Sequence, residues 1–340
     1  MDDLFMAEIL AQPAAIERAA RALEDQRDQL VRLAARDPAT ARIVLTGMGA
    51  SYDACLAAAS VLGSHGVLAA AINTAELVHF RLPALGADTL LIAISQSGRS
   101  AELVRLALQP APATLVSITN GLDNPLAAAA SVALDTAVGP EFGPSTMTFA
   151  GTFPVLDAVV SMITGVPRGD AATAAAAALR LLRSPLDLAD EMLGWAGDRS
   201  GAVLVGRGTA RAAADLGALV LKEAAGFAAE CLDAAEFRHG PLELAGPDLA
   251  VAVVATEPAT FDLDVALAME VAAHGSPVAL LASAPVSAAG LTVIPVEPIA
   301  RLLMPAVAAI PFHLLAWRLA VAKGRDPGRF TVGTKVTTRE

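Results

Sequence analysis

A short apolar run, a Gly-x-Gly turn and an alanine-rich helical stretch occur twice in this 340-residue chain, the second time 159 residues after the first. Residues 42–45 lead into Gly47-Met48-Gly49-Ala50-Ser51 and a helix to about Leu62; residues 202–205 lead into Gly206-Arg207-Gly208-Thr209-Ala210 and a helix to about Ala225. The correspondence continues downstream: residues 88–94 align with 248–254 at an offset of 160, residues 115–118 with 278–281, and residues 131–134 with 291–294. Four apolar, partly β-branched runs per half, separated by helical segments, predict buried parallel strands joined by crossovers. The expected fold class is therefore α/β, two tandem copies of a domain in which a parallel sheet is flanked by helices on both faces. The copies are placed at 37–165 and 199–325. Residues 1–36 are expected to be helical, from Ile16, Leu23, Leu30 and Leu33 at helical spacing; residues 166–198 form a helical connector and 326–340 a tail.

Composition narrows the function classes. Hydrophobic residues make up 55% and charged residues 17%, which excludes a disordered chain. The net charge of −11 argues against nucleic acid or an anionic membrane surface as partner, since both need a basic field. It leaves room for a small anion held by local donors. Cys55 and Cys231 make neither a disulfide framework nor a metal site, and no metal or other cofactor is expected. The first residues are acidic where a signal peptide would be basic. The long uncharged stretches 271–296 and 302–317 are broken by Gly and Pro, unlike membrane spans. A soluble cytoplasmic protein is expected.

Open parallel sheets bind ligands beyond the carboxyl ends of their strands, so the loops after the strands carry the argument. A dinucleotide fingerprint needs a third small residue after Gly-x-Gly, and the chain has Tyr52 and Arg211 there; no phosphate-binding P-loop pattern occurs either. The informative loop is Ser95-Gln96-Ser97-Gly98-Arg99-Ser100, ahead of a helix over 101–108. Gly98 permits a tight turn with N–H groups pointing inward, the three hydroxyls add donors, and the helix dipole favours an anion, which together suit a phosphate monoester. The competing reading is a serine-rich turn with Ser100 as a plain N-cap. The repeat favours the cradle: the matching loop of the second half is Ala255-Thr256-Glu257-Pro258, with the serines gone and a carboxylate present. A second cluster, Gly143-Pro144-Ser145-Thr146, follows the last strand of the first half and is placed on the same crevice.

The second half carries ionisable groups instead. Glu223 falls late in the helix that Gly226 caps, and Asp233-Ala234-Ala235-Glu236 is a capping-box pattern opening a short helix that Gly240-Pro241 stops. His239 sits at that helix's C-terminal end, where the dipole favours the imidazolium and a proton-donating role. A solvated Glu and a His serving only as a cap are the plain alternatives. His65, His79, His274 and His313 show no ligand spacing and are assigned to surface or packing. The tail segment Thr331-Val332-Gly333-Thr334-Lys335 is expected either to fold back over a site or to fray.

These residues resemble a known family. Tandem sugar-isomerase (SIS) domains are similar over nearly the whole chain, in particular the isomerase half of glucosamine-6-phosphate synthase and its shorter deaminase and isomerase relatives. The resemblance runs through Met6-Ala7-Glu8-Ile9-Leu10-Ala11-Gln12-Pro13, Gly49-Ala50-Ser51-Tyr52, Ser95-Gln96-Ser97-Gly98, Gly139-Pro140-Glu141 with Ser145-Thr146, Leu221-Lys222-Glu223, Glu236-Phe237-Arg238-His239-Gly240-Pro241 and Lys335. It implies a sugar 6-phosphate held by Ser95, Gln96, Ser97 and Ser100, with Gly49, Ala50, Ser51, Ser145 and Thr334 lining the sugar. It further implies Glu223 as the acid/base between C1 and C2, His239 as the ring-opening group supplied by a neighbouring subunit of a homodimer, and Lys335 as the amine reaching the open-chain end. Two departures stand out. The synthase has a lysine where this chain has Val220, and no counterpart of its glutaminase region is expected. The expected activity is an aminosugar-6-phosphate deaminase/isomerase without a cofactor. The alternatives are a sugar-phosphate sensor without turnover, or a deglycase or isomerase of another phosphosugar.

Overall fold

The computed structural model describes residues 3–34, 42–109, 113–199 and 201–340. Each half builds one wholly parallel sheet of five strands, not four. The first comprises β1 (Arg42–Gly47), β2 (Ala69–Asn73), β3 (Thr89–Ser95), β4 (Thr114–Thr119) and β5 (Val132–Asp135), in the order β2-β1-β3-β4-β5. The second comprises β6 (Gly201–Gly206), β7 (Ala228–Asp233), β8 (Ala250–Ala255), β9 (Val278–Ala282) and β10 (Leu291–Pro295), in the order β10-β9-β8-β6-β7, the same topology. The added strands, β2 and β7, are the edge strands beside β1 and β6. Their sequences, AAAIN and AAECLD, lie half exposed and carry few β-branched residues, so no apolar run marks them.

Side-chain alternation along the central strands sorts the interior. Ile43, Leu45, Leu90, Ile92 and Ile94 of the first sheet face a core that also takes Leu204, Ala252, Val254 and Leu281 of the second. Residues one position away face outward clusters of their own, with Leu91 and Leu115 in one and Val203, Val205, Val251 and Val253 in the other. The two halves thus share a central core. The helices Ala50–Ser64 and Ala210–Ala225, equivalent in the repeat, pack against each other there, and Ile310–Ala322 packs on the second of them. Alanine at the contact positions lets the helices approach closely.

The N-terminal segment forms three helices, Leu4–Leu10, Gln12–Asp25 and Arg27–Ala34; the end of the expected 1–36 segment lies outside the described residues. Between the sheets in sequence run Met147–Thr164, Ala171–Leu181 and Pro185–Ala196. Two segments, Met147–Thr164 and Arg301–Ala322, are long and apolar enough to cross a membrane, but they are 78% and 89% buried inside the protein as core helices. The Pro residues at 305 and 311 sit in first turns, where their missing N–H costs nothing, so the expected breaks become helix starts.

Candidate active site

Strand order reverses between β1 and β3, and a crevice opens beyond their carboxyl ends, as elementary topology requires. Gly49 sits there with φ +51° as the residue before helix Ala50–Ser64, whose N-terminus has no side-chain cap. The cleft, about 280 Å³, is lined by Gly49, Ala50, Ser51, Ser95, Gln96, Ser97, Ser100, Ser145, Glu223, Thr334 and Lys335. Eleven of the twelve residues singled out from the sequence therefore meet in one hollow. His239 does not line it. It is the exposed C-cap residue of helix Ala234–Arg238.

Part of the serine loop spends its backbone donors internally, where the sequence suggests inward-pointing N–H groups. Gly98 N–H donates to Ser95 Oγ at 3.1 Å, and Arg99 N–H donates to Ser97 Oγ at 3.1 Å. The first helical N–H of Ala101 donates to the Thr337 carbonyl at 3.0 Å. These three N–H groups are spent inside the protein, and the hydroxyl protons of Ser95 and Ser97 are among the donors the loop offers a ligand. Ser100 starts helix Ala101–Ala107 without making a side-chain cap bond, which leaves its hydroxyl free for the cleft and disfavours the plain N-cap reading. The dipole of the fifteen-residue helix Ala50–Ser64 supplies the field that the short helix does not.

Gly98 shows why the loop tolerates no side chain. Its φ is +61°, and a Cβ there would come within 1.9 Å of the Asn124 Oδ1 atom. Asn124 is fixed: it donates to the Gly121 carbonyl (2.9 Å) and accepts from Ala127 N–H (2.9 Å). Gly98→Ala is expected to weaken binding of inorganic phosphate at least about tenfold and to destabilise the fold by about 2 kcal/mol. Isothermal titration and a urea melt read the two effects; unchanged phosphate affinity would remove this loop from the anion site.

The tail folds over the cleft. Lys335 Nζ donates to Glu141 Oε2 at 2.5 Å and to the Gly143 carbonyl at 2.6 Å, and Glu340 pairs with Arg105 (3.2 Å) and His79 (3.0 Å). Glu141 is fully buried and also accepts from Thr146 N–H (2.9 Å), Thr146 Oγ1 (3.1 Å), Thr148 N–H (2.9 Å) and Thr148 Oγ1 (2.6 Å). Burial alone would raise its pKa, but the Lys335 ammonium and the Thr148 bonds outweigh it and hold the carboxyl below its ordinary value. Glu223, late in helix Ala210–Ala225, has the opposite balance. Burial lifts it to about 7; Lys335 opposes the shift, Glu141 adds to it and Lys222 opposes it. Two carboxyls near one lysine are thus set apart in proton affinity, an arrangement suited to acid/base chemistry near neutral pH.

Three supports were not assigned from the sequence. Glu8 of helix Leu4–Leu10 accepts from Phe142 N–H (2.5 Å) and Gly143 N–H (3.1 Å), fixing the loop that carries Ser145. His313, fully buried, faces the Ser145 carbonyl through Nε2 at 3.0 Å. Burial lowers its pKa to about 4, so it is neutral and Nε2 carries the proton. Glu141 completes the set. Only Glu8 and Glu141 stood in recognisable strings, and neither string says what its carboxylate holds.

Comparison with known proteins identifies the family and the fold. The SIS domain family matches twice, over residues 39–162 and 198–323. The chain is 33% identical over 300 residues to glutamine–fructose-6-phosphate aminotransferase (isomerizing) of Halobacterium salinarum, covering 84% of this chain and 50% of that protein. It spans about half the length of the curated relatives it matches. Its fold is similar to the C-terminal domain of glucosamine-fructose-6-phosphate aminotransferase from Francisella tularensis, with a TM-score of 0.85 at 22% identity over 97% of this chain and 98% of the other. It is also similar to glucosamine-6-phosphate deaminase from Thermotoga maritima, with a TM-score of 0.71 at 17% identity over 94% and 99%.

Proposed function

Because this chain belongs to the SIS domain family, we propose that its cleft binds a sugar 6-phosphate and isomerises it, acting on an aminosugar 6-phosphate with release of ammonia. The observation that carries this reading is the meeting of Glu223, raised to about 7, and Lys335 with the hydroxyl-lined loop in one hollow. The phosphate lies on Ser95, Ser97 and Ser100, away from the reacting carbons, and supplies binding energy for orientation. Ser51, Ser145 and Thr334 face the sugar. Glu223, ionised in half the molecules near pH 7, takes the C2 proton and returns it at C1. The C2–N bond becomes a ketimine, and water adds to its carbon and expels ammonia, leaving a ketose 6-phosphate. Lys335, charged beside Glu141, stabilises negative charge that develops on the open-chain oxygen.

Ring opening needs a proton donor at the ring oxygen. His239 is exposed outside its own cleft, and we assign it to the cleft of a second copy in a homodimer. Ammonia release from a panel of free, N-acylated and neutral sugar phosphates tests the reaction class; tight binding with no release or isomerisation identifies a sensor. Mixing Glu223→Gln with His239→Ala chains tests the shared site. Each mixed dimer retains one intact site, so up to about a quarter of wild-type activity is expected to return; no recovery after verified subunit exchange sinks the assignment of His239.

A further inference from the structure

The repeat provides a ruler for comparing the two halves, and it exposes a second anion cradle that the protein fills with its own side chain. Gly206 of β6 corresponds to Gly47 of β1, so Thr209 corresponds to Ala50 at the start of the equivalent helix. Strand register fixes the neighbouring loop. Thr46 stands opposite Ala93, which puts Ile94 next along β3, while Gly206 stands opposite Val254. Counting on, Ser95, Gln96 and Ser97 correspond to Ala255, Thr256 and Glu257. Glu257 therefore occupies the place of Ser97, the middle hydroxyl of the front loop.

Its carboxylate is seated as a bound anion would be. Oε1 accepts from Thr209 N–H at 2.7 Å and from Thr209 Oγ1 at 2.6 Å, at the N-terminus of the sixteen-residue helix Ala210–Ala225. Arg301, from a separate segment, donates through Nε to Oε2 (2.8 Å) and through an Nη to Oε1 (3.2 Å), and its other Nη reaches Ser64 of the front half (3.0 Å). Gly208, φ +56°, leaves room for it: a Cβ there would lie 2.7 Å from Oε1. Glu257 is 3% exposed. The adjacent Thr256, 5% exposed, has a hydroxyl with no partner among the described residues. Helix dipole, backbone donor, hydroxyl and a two-pronged guanidinium are a set suited to an oxyanion.

We propose that the second half holds an oxyanion site at the place equivalent to the serine loop, occupied by the Glu257 carboxylate, and that removing this carboxylate opens the site to a small carboxylate such as formate. The filled cradle explains how a duplicated domain offers one anion site per chain. It does not rest on the reading of the front cleft, which lies on other residues.

Formate is the probe, because it restores the carboxylate group that Glu257→Ala deletes. Wild type and Glu257→Ala are melted across a formate series at constant ionic strength. The variant is expected to melt lower without formate and to recover by about 2–4 °C as formate saturates, beyond any change in wild type. Glu257→Gln, which keeps the space filled, is expected to show no formate-dependent recovery. Folded Glu257→Ala without formate dependence overturns the proposal, as does a variant that cannot be recovered folded even in formate buffer, or equal recovery in Glu257→Gln. Equilibrium dialysis of wild type with inorganic phosphate is the independent check: two phosphates per chain overturn it. Binding of none, with formate recovery intact in Glu257→Ala, removes the front cradle and leaves this site standing.

Discussion

Glu223→Gln is expected to abolish exchange of the substrate's C2 proton with solvent while the sugar phosphate still binds within about threefold of wild type. The hydroxyls proposed to hold the phosphate belong to the first half and Glu223 to the second, so the substitution leaves those side chains in place. A positioned base is worth roughly 10²–10⁴ in rate, and kcat is expected to fall by that factor. Deuterium incorporation followed by NMR reads the exchange directly; exchange at the wild-type rate would end the assignment. In the wild type, kcat/KM is expected to rise with pH and level off above about 7, as Glu223 ionises.

The same shift carries a stability signature of definite sign. Burial makes the folded state hold the Glu223 proton more tightly than the unfolded chain, whose carboxyl titrates near its ordinary 4.5. Between pH 4.5 and about 7 the unfolded state releases the proton first, so stability falls as pH rises through that window and stays reduced above it. Gln has no proton to lose. Glu223→Gln is expected to match wild type near pH 4 and to exceed it by about 3 kcal/mol at pH 8. An inactive variant that is more stable at high pH alone distinguishes a strained catalytic carboxyl from a structural one, whose removal would destabilise.

Much of this arrangement was legible because duplication makes one half a control for the other. Shared features, the β1 and β6 runs and their Gly-x-Gly turns, report the fold. Differences, serines at 95–100 against Glu257, report what each half does with it. Edge strands β2 and β7 escaped because alanine carries little β signal and their exposure removes the apolar alternation. The supports Glu8, Glu141 and His313 escaped for another reason. Glu8 and His313 meet partners 134 and 168 residues away, and Glu141, besides its near neighbours Thr146 and Thr148, meets Lys335 194 residues away; no local spacing encodes the distant contacts. Two of the N–H groups in the serine loop, those of Gly98 and Arg99, are satisfied by serine hydroxyls, a competition that short polar side chains routinely win and that no spacing announces.

Glu141→Ala is expected to be the most damaging single change in the cleft. One carboxylate there accepts five hydrogen bonds, four from Thr146 and Thr148 and one from Lys335. Deleting it strands buried donors and leaves a largely buried ammonium with only the Gly143 carbonyl, a loss on the order of 3–5 kcal/mol. The loss does not fall evenly. The loop 141–148 is also held by Glu8 from below, whereas Lys335 is the inner anchor of the tail, whose other contacts include Thr337, the Arg325–Thr331 bond, Gly328 against Phe5 and the exposed pairs of Glu340. Exposed pairs contribute little, so the tail is expected to open before the loop does. Trypsin should then cut after Arg329 and Lys335 at least about tenfold faster than in wild type under native conditions, with activity lost in parallel. Lys335→Met separates the two roles of the pair. It frees the tail likewise but keeps the Glu141 side chain and its Thr146 and Thr148 bonds in place, and because Lys335 opposes the upward shift of Glu223, the pH at which kcat/KM levels off is expected to move above 7. A Lys335→Met enzyme with residual activity and an unmoved pH profile would show that the lysine and Glu223 do not sense each other.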